Sequence, residues 1–174
     1  MKELLMATVL ALSPVPAGAR MSTPMGTPMG TPMGTVSQVK VYFSKGFGLP
    51  GKVVAVTRTA PHTGVARFAV EQLIAGPTPA ERRRGLHAEL GRQIRGGSDC
   101  GADFQLKIKQ GTATLRFCRT VWGIGVGGDA RILGTIASTL KQFGTVDRVV
   151  TLAKDGRCLF DQTDAGTSCL TGHE

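Results

Sequence analysis

Apolar and polar residues alternate near the start of the predicted domain, and the pattern then changes to a helical period. Val39, Val41 and Phe43 alternate with polar neighbours, as expected of a half-buried strand. The β-branched run from Val53 to Thr59 predicts a second strand. Apolar residues recur at helical spacing between Val65 and Ala75, so an amphipathic helix is predicted after these two strands.

Signals for helix ends lie directly after this helix. Gly76-Pro77 stops it, because glycine often terminates a helix and proline cannot continue one. A second helical segment is predicted from Pro79 to Leu86, with Thr78 as its N-cap and Glu81 at the capping-box position. Residues 91–102 are rich in glycine and polar side chains, which predicts a loop.

A two-stranded hairpin is the best-specified element of the sequence. Gln110-Gly111 predicts a two-residue turn between two alternating runs. With that turn, each inward residue of the first strand lies opposite an inward residue of the second, and all of them share one face. The predicted pairs are Phe104 with Phe117, Leu106 with Leu115, and Ile108 with Ala113.

The last part of the domain predicts a helix between a glycine-rich loop and a strand. The loop is Gly123–Gly128, and Asp129 is the expected N-cap of a helix that continues to Phe143. A last strand is predicted from Val146 to Leu152. The order β-β-α-β-β-α-β predicts an α+β fold, a mixed β-sheet with two main helices packed on one side.

The N-terminal segment predicts export rather than folded structure. Lys2, the apolar run from Leu4 to Leu12 and the small residues Ala17-Gly18-Ala19 match a secretory signal, with cleavage expected after Ala19. A retained membrane anchor is the alternative, although the run is about half of the ~20 residues that a span needs. Residues 20–36 repeat a Thr-Pro-Met-Gly unit and are predicted to be a disordered linker. The folded domain is expected over residues 37–170, without a transmembrane span.

Four cysteines agree with an oxidising compartment, where small exported domains carry disulfides. The hairpin register places Asp103 opposite Cys118, so Cys100 lies within reach of Cys118. Cys158 and Cys169 flank a turn-rich stretch and are predicted to close a second loop. A zinc site is the alternative, but no cysteine pair has CxxC spacing and the histidines are scattered singly, so no metal is expected.

Several short motifs along the chain point together to one family. The most specific is the helix-end pattern LxxGPT, formed by Leu73 to Thr78. The others are Val39–Phe43, Val54–Arg58, Gly111–Leu115 and Thr139–Phe143, with Glu81 and Gly85 after the first helix. On these residues the stretch from Val39 to Leu152 resembles a GerMN domain of the bacterial sporulation and germination family.

This resemblance implies an extracytoplasmic α/β module without a known catalytic centre, of a kind that acts in envelope assemblies during spore formation. The chain differs from the best-understood members in carrying one copy of the domain, no lipidation cysteine and two added cysteine pairs. The resemblance implies a role in binding or scaffolding an envelope partner, and no cofactor is expected.

The glycine-rich loop Gly123–Gly128 literally matches the dinucleotide-binding pattern GxGxxG. That use also requires an acidic residue at the end of the next strand, whereas Asp147 lies at the start of that strand and Asp155 beyond its end. Glycine that permits a tight turn into the helix is the favoured interpretation. Gly127 and Gly128 are still candidates for anion binding, because backbone amides are exposed at a helix N-terminus.

A cluster of arginines is the strongest charge feature of a chain with net charge +9. A solvated helix face is the favoured interpretation of this cluster. Because clustered arginines attract anionic groups, an anionic envelope partner, such as lipid headgroups or wall polymer, is the alternative. For the protein as a whole, an envelope protein or an anionic envelope polymer is the predicted partner. Nucleic-acid binding through the cluster is a further alternative, but it is not expected, because one Trp and one Tyr offer little surface for base stacking. The candidate residues are Arg82, Arg83, Arg84, Arg92 and Arg95.

An envelope hydrolase or hydrolase accessory is the alternative function. A nucleophilic triad needs Ser or Cys, a His and an orienting acid. His62, His87 and His173 lie in separate segments and in no recognised motif. We therefore expect a protein without enzymatic activity.

Overall fold

The first two strands form an antiparallel pair. The computed structural model describes residues 37–46, 52–161, 163 and 165–171. Within these residues, β1 is Ser37–Lys45 and β2 is Lys52–Ala60, and Val41 of β1 is fully buried. The predicted signal segment and linker, residues 1–36, lie outside the described residues.

The helix after β2 has the predicted bounds, and the second helix is shorter than predicted. α1 spans Val65–Ala75 and packs on β1. α2 spans Pro79–Arg83 and does not reach Leu86. Gly85 has a φ of +84°, which side-chain-bearing residues rarely adopt, and it turns the chain out of the helix. Leu86 instead belongs to β3, Leu86–His87, which pairs with the end of β1.

Regular structure occurs at the start of residues 91–102, which the sequence predicts to be a loop. α3 is Leu90–Gln93 and β4 is Ile94–Arg95. Leu90 and Ile94 are buried, so two apolar side chains anchor this stretch in the core. The loop prediction is wrong here because two apolar residues among glycines and polar residues produce no recognisable period.

The predicted hairpin is confirmed together with its register. β5 is Phe104–Lys109 and β6 is Thr112–Phe117, and the three apolar pairs lie opposite each other as expected. Gln110 and Gly111 have φ values of +48° and +76°, the mirror-image turn that suits the twist of a hairpin. Burial decreases along β5 until Ile108, which is 38% exposed, whereas its partner Ala113 on β6 is fully buried. The end of β5, and not the start of β6, therefore projects beyond the core.

The long helix starts earlier and ends earlier than predicted. β7, Thr120–Val121, pairs with β4, and α4 then spans Val126–Lys141. Asp129 is not the N-cap but lies in the first turn, where its carboxylate accepts the backbone amide of Ile124 at 2.8 Å. The N-cap itself is Gly125, which has no side chain to donate or accept.

The last strand, β8, spans Arg148–Leu152 and runs parallel to β6, so β6, α4 and β8 form a βαβ unit. β8 begins after the predicted start at Val146. Val146 is buried but lies in the preceding turn, where its amide donates to the carbonyl of Phe143 at 2.8 Å. Val146 is apolar because it is buried, and its apolar side chain does not indicate that the strand begins there.

The α+β class is confirmed, and backbone hydrogen bonds divide the described strands among three small sheets. Their orders are β2-β1-β3, β4-β7 and β5-β6-β8. Side chains from α4 and its C-cap take the place of a neighbouring strand along part of β1. The side-chain oxygen of Gln142 accepts the amide of Lys40 at 2.7 Å, and the hydroxyl oxygen of Thr139 accepts the amide of Tyr42 at 3.2 Å. These contacts satisfy backbone groups that a single continuous sheet would pair with another strand.

Both predicted disulfides are present. Cys100 is bonded to Cys118 at the end of β6, and Cys158 is bonded to Cys169 in the C-terminal tail. The carboxylate of Asp161 also holds the tail, because it accepts the backbone amides of Thr163 and Ser168, each at 2.9 Å. These donors, that of Thr163 first, hold the pKa of the Asp161 carboxyl far below its ordinary value.

Candidate functional site

A cleft of about 600 Å³ lies between the end of α1, the segment from β3 to α3 and the N-terminal part of α4. Its walls are partly apolar, from Ile74 and Ile124 among others. The ionisable side chains that line it are Arg82, His87, Glu89, Arg92 and Arg131.

The family-specific LxxGPT pattern builds one wall of this cleft. Gly76 ends α1 with a φ of +83°, and a Cβ at this position would lie 3.2 Å from the Cβ of Ala88. Pro77 is buried beside it and also lines the cleft. Thr78 then starts α2 through the predicted capping box, in which Thr78 and Glu81 exchange side-chain and backbone hydrogen bonds. The pattern thus specifies the C-terminus of α1 and the N-terminus of α2, which lie close together at the edge of the cleft.

An ion pair fastens α2 to β2. The two terminal nitrogens of Arg58 each lie 2.7 Å from one carboxylate oxygen of Glu81. Both side chains are largely buried, at 15% and 13% exposed. The hydrogen bonds from Arg58 lower the pKa of Glu81 to about 2, against the opposing effect of burial.

Gly91 allows α3 to approach α1 at the base of the cleft. A Cβ at this position would lie 2.1 Å from the carbonyl oxygen of Ile74, which is backbone and cannot rotate away. Any larger residue would push α3 off the end of α1. Glycine is therefore required here by packing.

A second ion pair crosses the interior of the cleft. A guanidinium nitrogen of Arg131 lies 2.6 Å from a carboxylate oxygen of Glu89, with the two side chains 17% and 12% exposed. The hydroxyl of Ser44 donates to the other oxygen of Glu89 at 3.3 Å. Glu89 therefore offsets the positive charge of Arg131. Arg82 and Arg92, in contrast, expose their positive charges to solvent. Arg82 also donates to the carbonyl of Pro77.

The structure separates the predicted arginine cluster into three groups. Arg82 and Arg92 line the cleft, and Arg83 and Arg84 are exposed outside its lining. Arg95 lies over the ring of Trp122, with its guanidinium carbon 5.6 Å from the ring centroid. Sequence reasoning missed Glu89 and Arg131, because no local pattern indicates a contact between residues 42 positions apart.

The glycine-rich loop is packed by its own side chains. A Cβ at Gly128 would lie 2.3 Å from a side-chain carbon of Ile124, so Ile124 covers this glycine. The first charged residue of α4 is Asp129, whose carboxylate accepts a hydrogen bond from the amide of Ile124. Anion binding at Gly127 and Gly128 stays a prediction, and an anion there would lie close to this negative charge.

Few of the described residues have side chains that could act as catalytic groups in the cleft. His87 lines the cleft with Glu89, whereas His62 is exposed in the turn before α1 and His173 lies outside the described residues. Among the described cleft-lining residues there is no serine, threonine or cysteine. Asp99 lies beside Cys100 and Cys118, but these sulfurs are bonded to each other and are not thiolate ligands.

Residues 40–157 match the model of the Germane family, whose description is "Sporulation and spore germination". The GerMN-type domain predicted from the sequence is thereby confirmed. No curated protein matches the chain.

Two solved structures align with this chain, and the first of them is similar in fold. The tandem GerMN domains of the sporulation protein GerM from Bacillus subtilis align with a TM-score of 0.52 and 18% identity, over 78% of this chain. The alignment covers 48% of that structure, so this chain spans about half of it. The first GerMN domain of the same protein aligns with a TM-score of 0.46 and 22% identity, over 67% of this chain and 82% of that one.

Proposed function

Since this chain belongs to the Germane family of sporulation and spore germination domains, we propose that it is a non-catalytic, extracytoplasmic binding module. Its cleft holds an anionic segment of an envelope partner. The observation that carries the proposal is the arrangement of charge in the cleft. Arg131 is offset by Glu89, while Arg82 and Arg92 expose positive charge beside apolar walls.

A partner with carboxylate or phosphate groups fits this arrangement. Guanidinium groups bind such anions through paired hydrogen bonds. The apolar lining adds binding free energy when it buries apolar surface of the partner. The net charge of +9 also attracts an anionic partner from a distance, an effect that salt weakens.

The proposed absence of catalysis is supported by the contents of the cleft. His87 and Glu89 lie in it, but the described lining offers no hydroxyl or thiol nucleophile. Ser44, which contacts Glu89, is 1% exposed and has no access to a substrate. The family match adds support, since the family is described by a process and not by a reaction.

The proposed extracytoplasmic location is supported by the two disulfides, which persist in oxidising compartments. It agrees with the signal pattern expected from the first residues. Among the described residues, no helix is sufficiently long and apolar to cross a membrane.

Site-specific crosslinking in the native envelope tests the proposal. A photo-reactive amino acid at position 92 is expected to capture a partner, because Arg92 is exposed and lines the cleft. The same probe at position 107 is the control, since Lys107 is an exposed cation on the hairpin. Equal capture from both positions, or none from position 92, would contradict the proposal.

Charge reversal sharpens the test. With the photo-reactive amino acid at position 92, Arg82→Glu is expected to lower capture by about tenfold, because an attractive charge in the cleft becomes repulsive. Arg83→Glu changes the net charge equally at an exposed position outside the cleft lining, so it is expected to have little effect. If both variants reduce capture equally, the cleft is not the binding site.

Zymography on cell-wall substrate separates binding from hydrolysis. We expect no clearing by the purified protein. Clearing that His87→Ala abolishes and His62→Ala preserves would establish the cleft as a hydrolytic site and overturn the non-catalytic assignment.

A further inference from the structure

Three large apolar side chains are exposed on the short loop after β7 and on the first residue of α4. Trp122 is 57% exposed, Ile124 is 42% exposed and Val126 is 67% exposed. Glycines lie between them, and no residue from 120 to 128 is charged. We call this segment, Trp122–Val126, the apolar loop. Soluble proteins rarely cluster such side chains on their surface unless the patch contacts something.

The apolar loop is held firmly in its exposed position. The amide of Trp122 donates to the carbonyl of Gln93 at 3.0 Å, and Ile124 covers Gly128 while its amide donates to Asp129. The loop is therefore presented by the fold and is not a frayed end. Its exposure needs no rearrangement, so little conformational entropy is lost when it binds.

Positive charge flanks the apolar loop. Arg95 stacks over Trp122, and Ile124 lines the cleft together with the exposed Arg82 and Arg92. Asp129, the carboxylate closest to the loop along the chain, is engaged with the amide of Ile124. A small apolar tip beside arginines is complementary to a surface with anionic groups above an apolar layer.

We propose that the apolar loop inserts into the headgroup region of an anionic phospholipid bilayer, with Arg92 and Arg95 over the lipid phosphates. Tryptophan is favoured at this depth, and aliphatic side chains beside it gain from leaving water. Arginines near the surface add attraction to anionic lipids. The inference deepens the proposed function, on which it rests, because it places the opening of the cleft at the membrane surface.

The single tryptophan of the chain makes the test direct. Its intrinsic fluorescence reports on the apolar loop alone. With vesicles of phosphatidylglycerol and phosphatidylcholine, we expect the emission maximum of Trp122 to shift to shorter wavelength and brominated lipids to quench it. With phosphatidylcholine vesicles alone, we expect a much smaller shift. No shift with anionic vesicles, or an equal shift with neutral ones, would overturn the inference.

Variants locate the contact. Val126→Asp retains the tryptophan reporter and is expected to weaken vesicle partition by about tenfold or more, since it replaces an apolar side chain with a repelled charge. Arg95→Gln is expected to weaken it by about fivefold. Leu170→Asp is the matched control, because Leu170 is also exposed, at 48%, but lies in the C-terminal tail. Partition reduced equally by Val126→Asp and Leu170→Asp would contradict insertion through this loop.

The two proposals fail in distinguishable ways. If vesicle binding is absent but capture of a soluble partner from position 92 persists and depends on Arg82, the membrane contact is wrong and the binding module stands. If vesicles bind and no partner is captured from position 92, the membrane contact stands and the cleft assignment is wrong.

Discussion

Arg58 and Glu81 form a bidentate ion pair that joins β2 to α2, with both nitrogen–oxygen distances at 2.7 Å. Glu81 also accepts the amide of Thr78 at 2.8 Å, so one carboxylate closes the capping box and fastens the helix to the sheet. Because Thr78 directly follows the cleft-lining Gly76-Pro77, this contact stabilises the edge of the cleft.

The Arg58–Glu81 pair predicts a loss of stability in acid. The pKa of Glu81 falls from 4.5 to about 2 on folding, chiefly because Arg58 donates hydrogen bonds to its ionised form. A lowered folded pKa gives stability that is complete above the unfolded value and lost as the pH falls from 4.5 toward 2. Denaturant unfolding followed across this range measures the effect.

Glu81→Gln is expected to destabilise the protein at neutral pH by about 1–3 kcal/mol, because it removes a charged acceptor from a largely buried pair. The variant should also lose the part of the pH dependence below 4.5 that Glu81 contributes. Glu71→Gln is the control, since the Arg67–Glu71 pair is about half exposed and contributes little. Equal effects of the two substitutions would contradict a special role for Glu81.

Gly91→Ala is expected to destabilise the protein by about 3 kcal/mol, because the new methyl group would overlap the carbonyl oxygen of Ile74. Thermal unfolding measures the change. Gly134→Ala in α4 is the matched control, since a Cβ there meets nothing within 4 Å. That variant should gain about 0.5–1 kcal/mol from helix propensity. A stable Gly91→Ala protein would show that α3 does not pack as described.

Gln142→Ala is expected to cost about 1 kcal/mol and to loosen β1 locally. Gln142 accepts the amide of Lys40 at 2.7 Å and donates to the carbonyl of the same residue at 2.6 Å. Faster amide hydrogen exchange at Lys40 would report the loss. Lys141→Ala, at the exposed end of α4, should leave that exchange unchanged. Unchanged exchange in Gln142→Ala would show that this contact does not protect the strand.

Each disulfide is expected to contribute about 3 kcal/mol, because each closes a loop that would otherwise be free in the unfolded chain. The pairs span 18 and 11 residues. Cys100→Ala with Cys118→Ala, and separately Cys158→Ala with Cys169→Ala, should therefore lower the Tm by similar amounts. Addition of a reductant should lower the Tm of the unaltered protein and leave that of the fourfold variant unchanged.

Local patterns were sufficient for the hairpin, for α1, for the capping box and for both disulfides. In each case the interacting residues are close along the chain or are brought together by one turn, as Asp103 and Cys118 are by Gln110-Gly111. Period, turn chemistry and cap residues therefore specify these contacts directly. The same signals failed over residues 90–95, where the buried Leu90 and Ile94 are separated by glycine and polar residues.

The sequence by itself determined an α+β domain of the Germane family with two local disulfides, because those features depend on short-range patterns and recognisable motifs. Tertiary structure alone decided what the cleft contains and which side chains stay exposed. Glu89 meets Arg131 across 42 positions, and Gln142 meets Lys40 across 102. Such contacts arise from how helices pack on strands, and no local period of hydrophobicity records them.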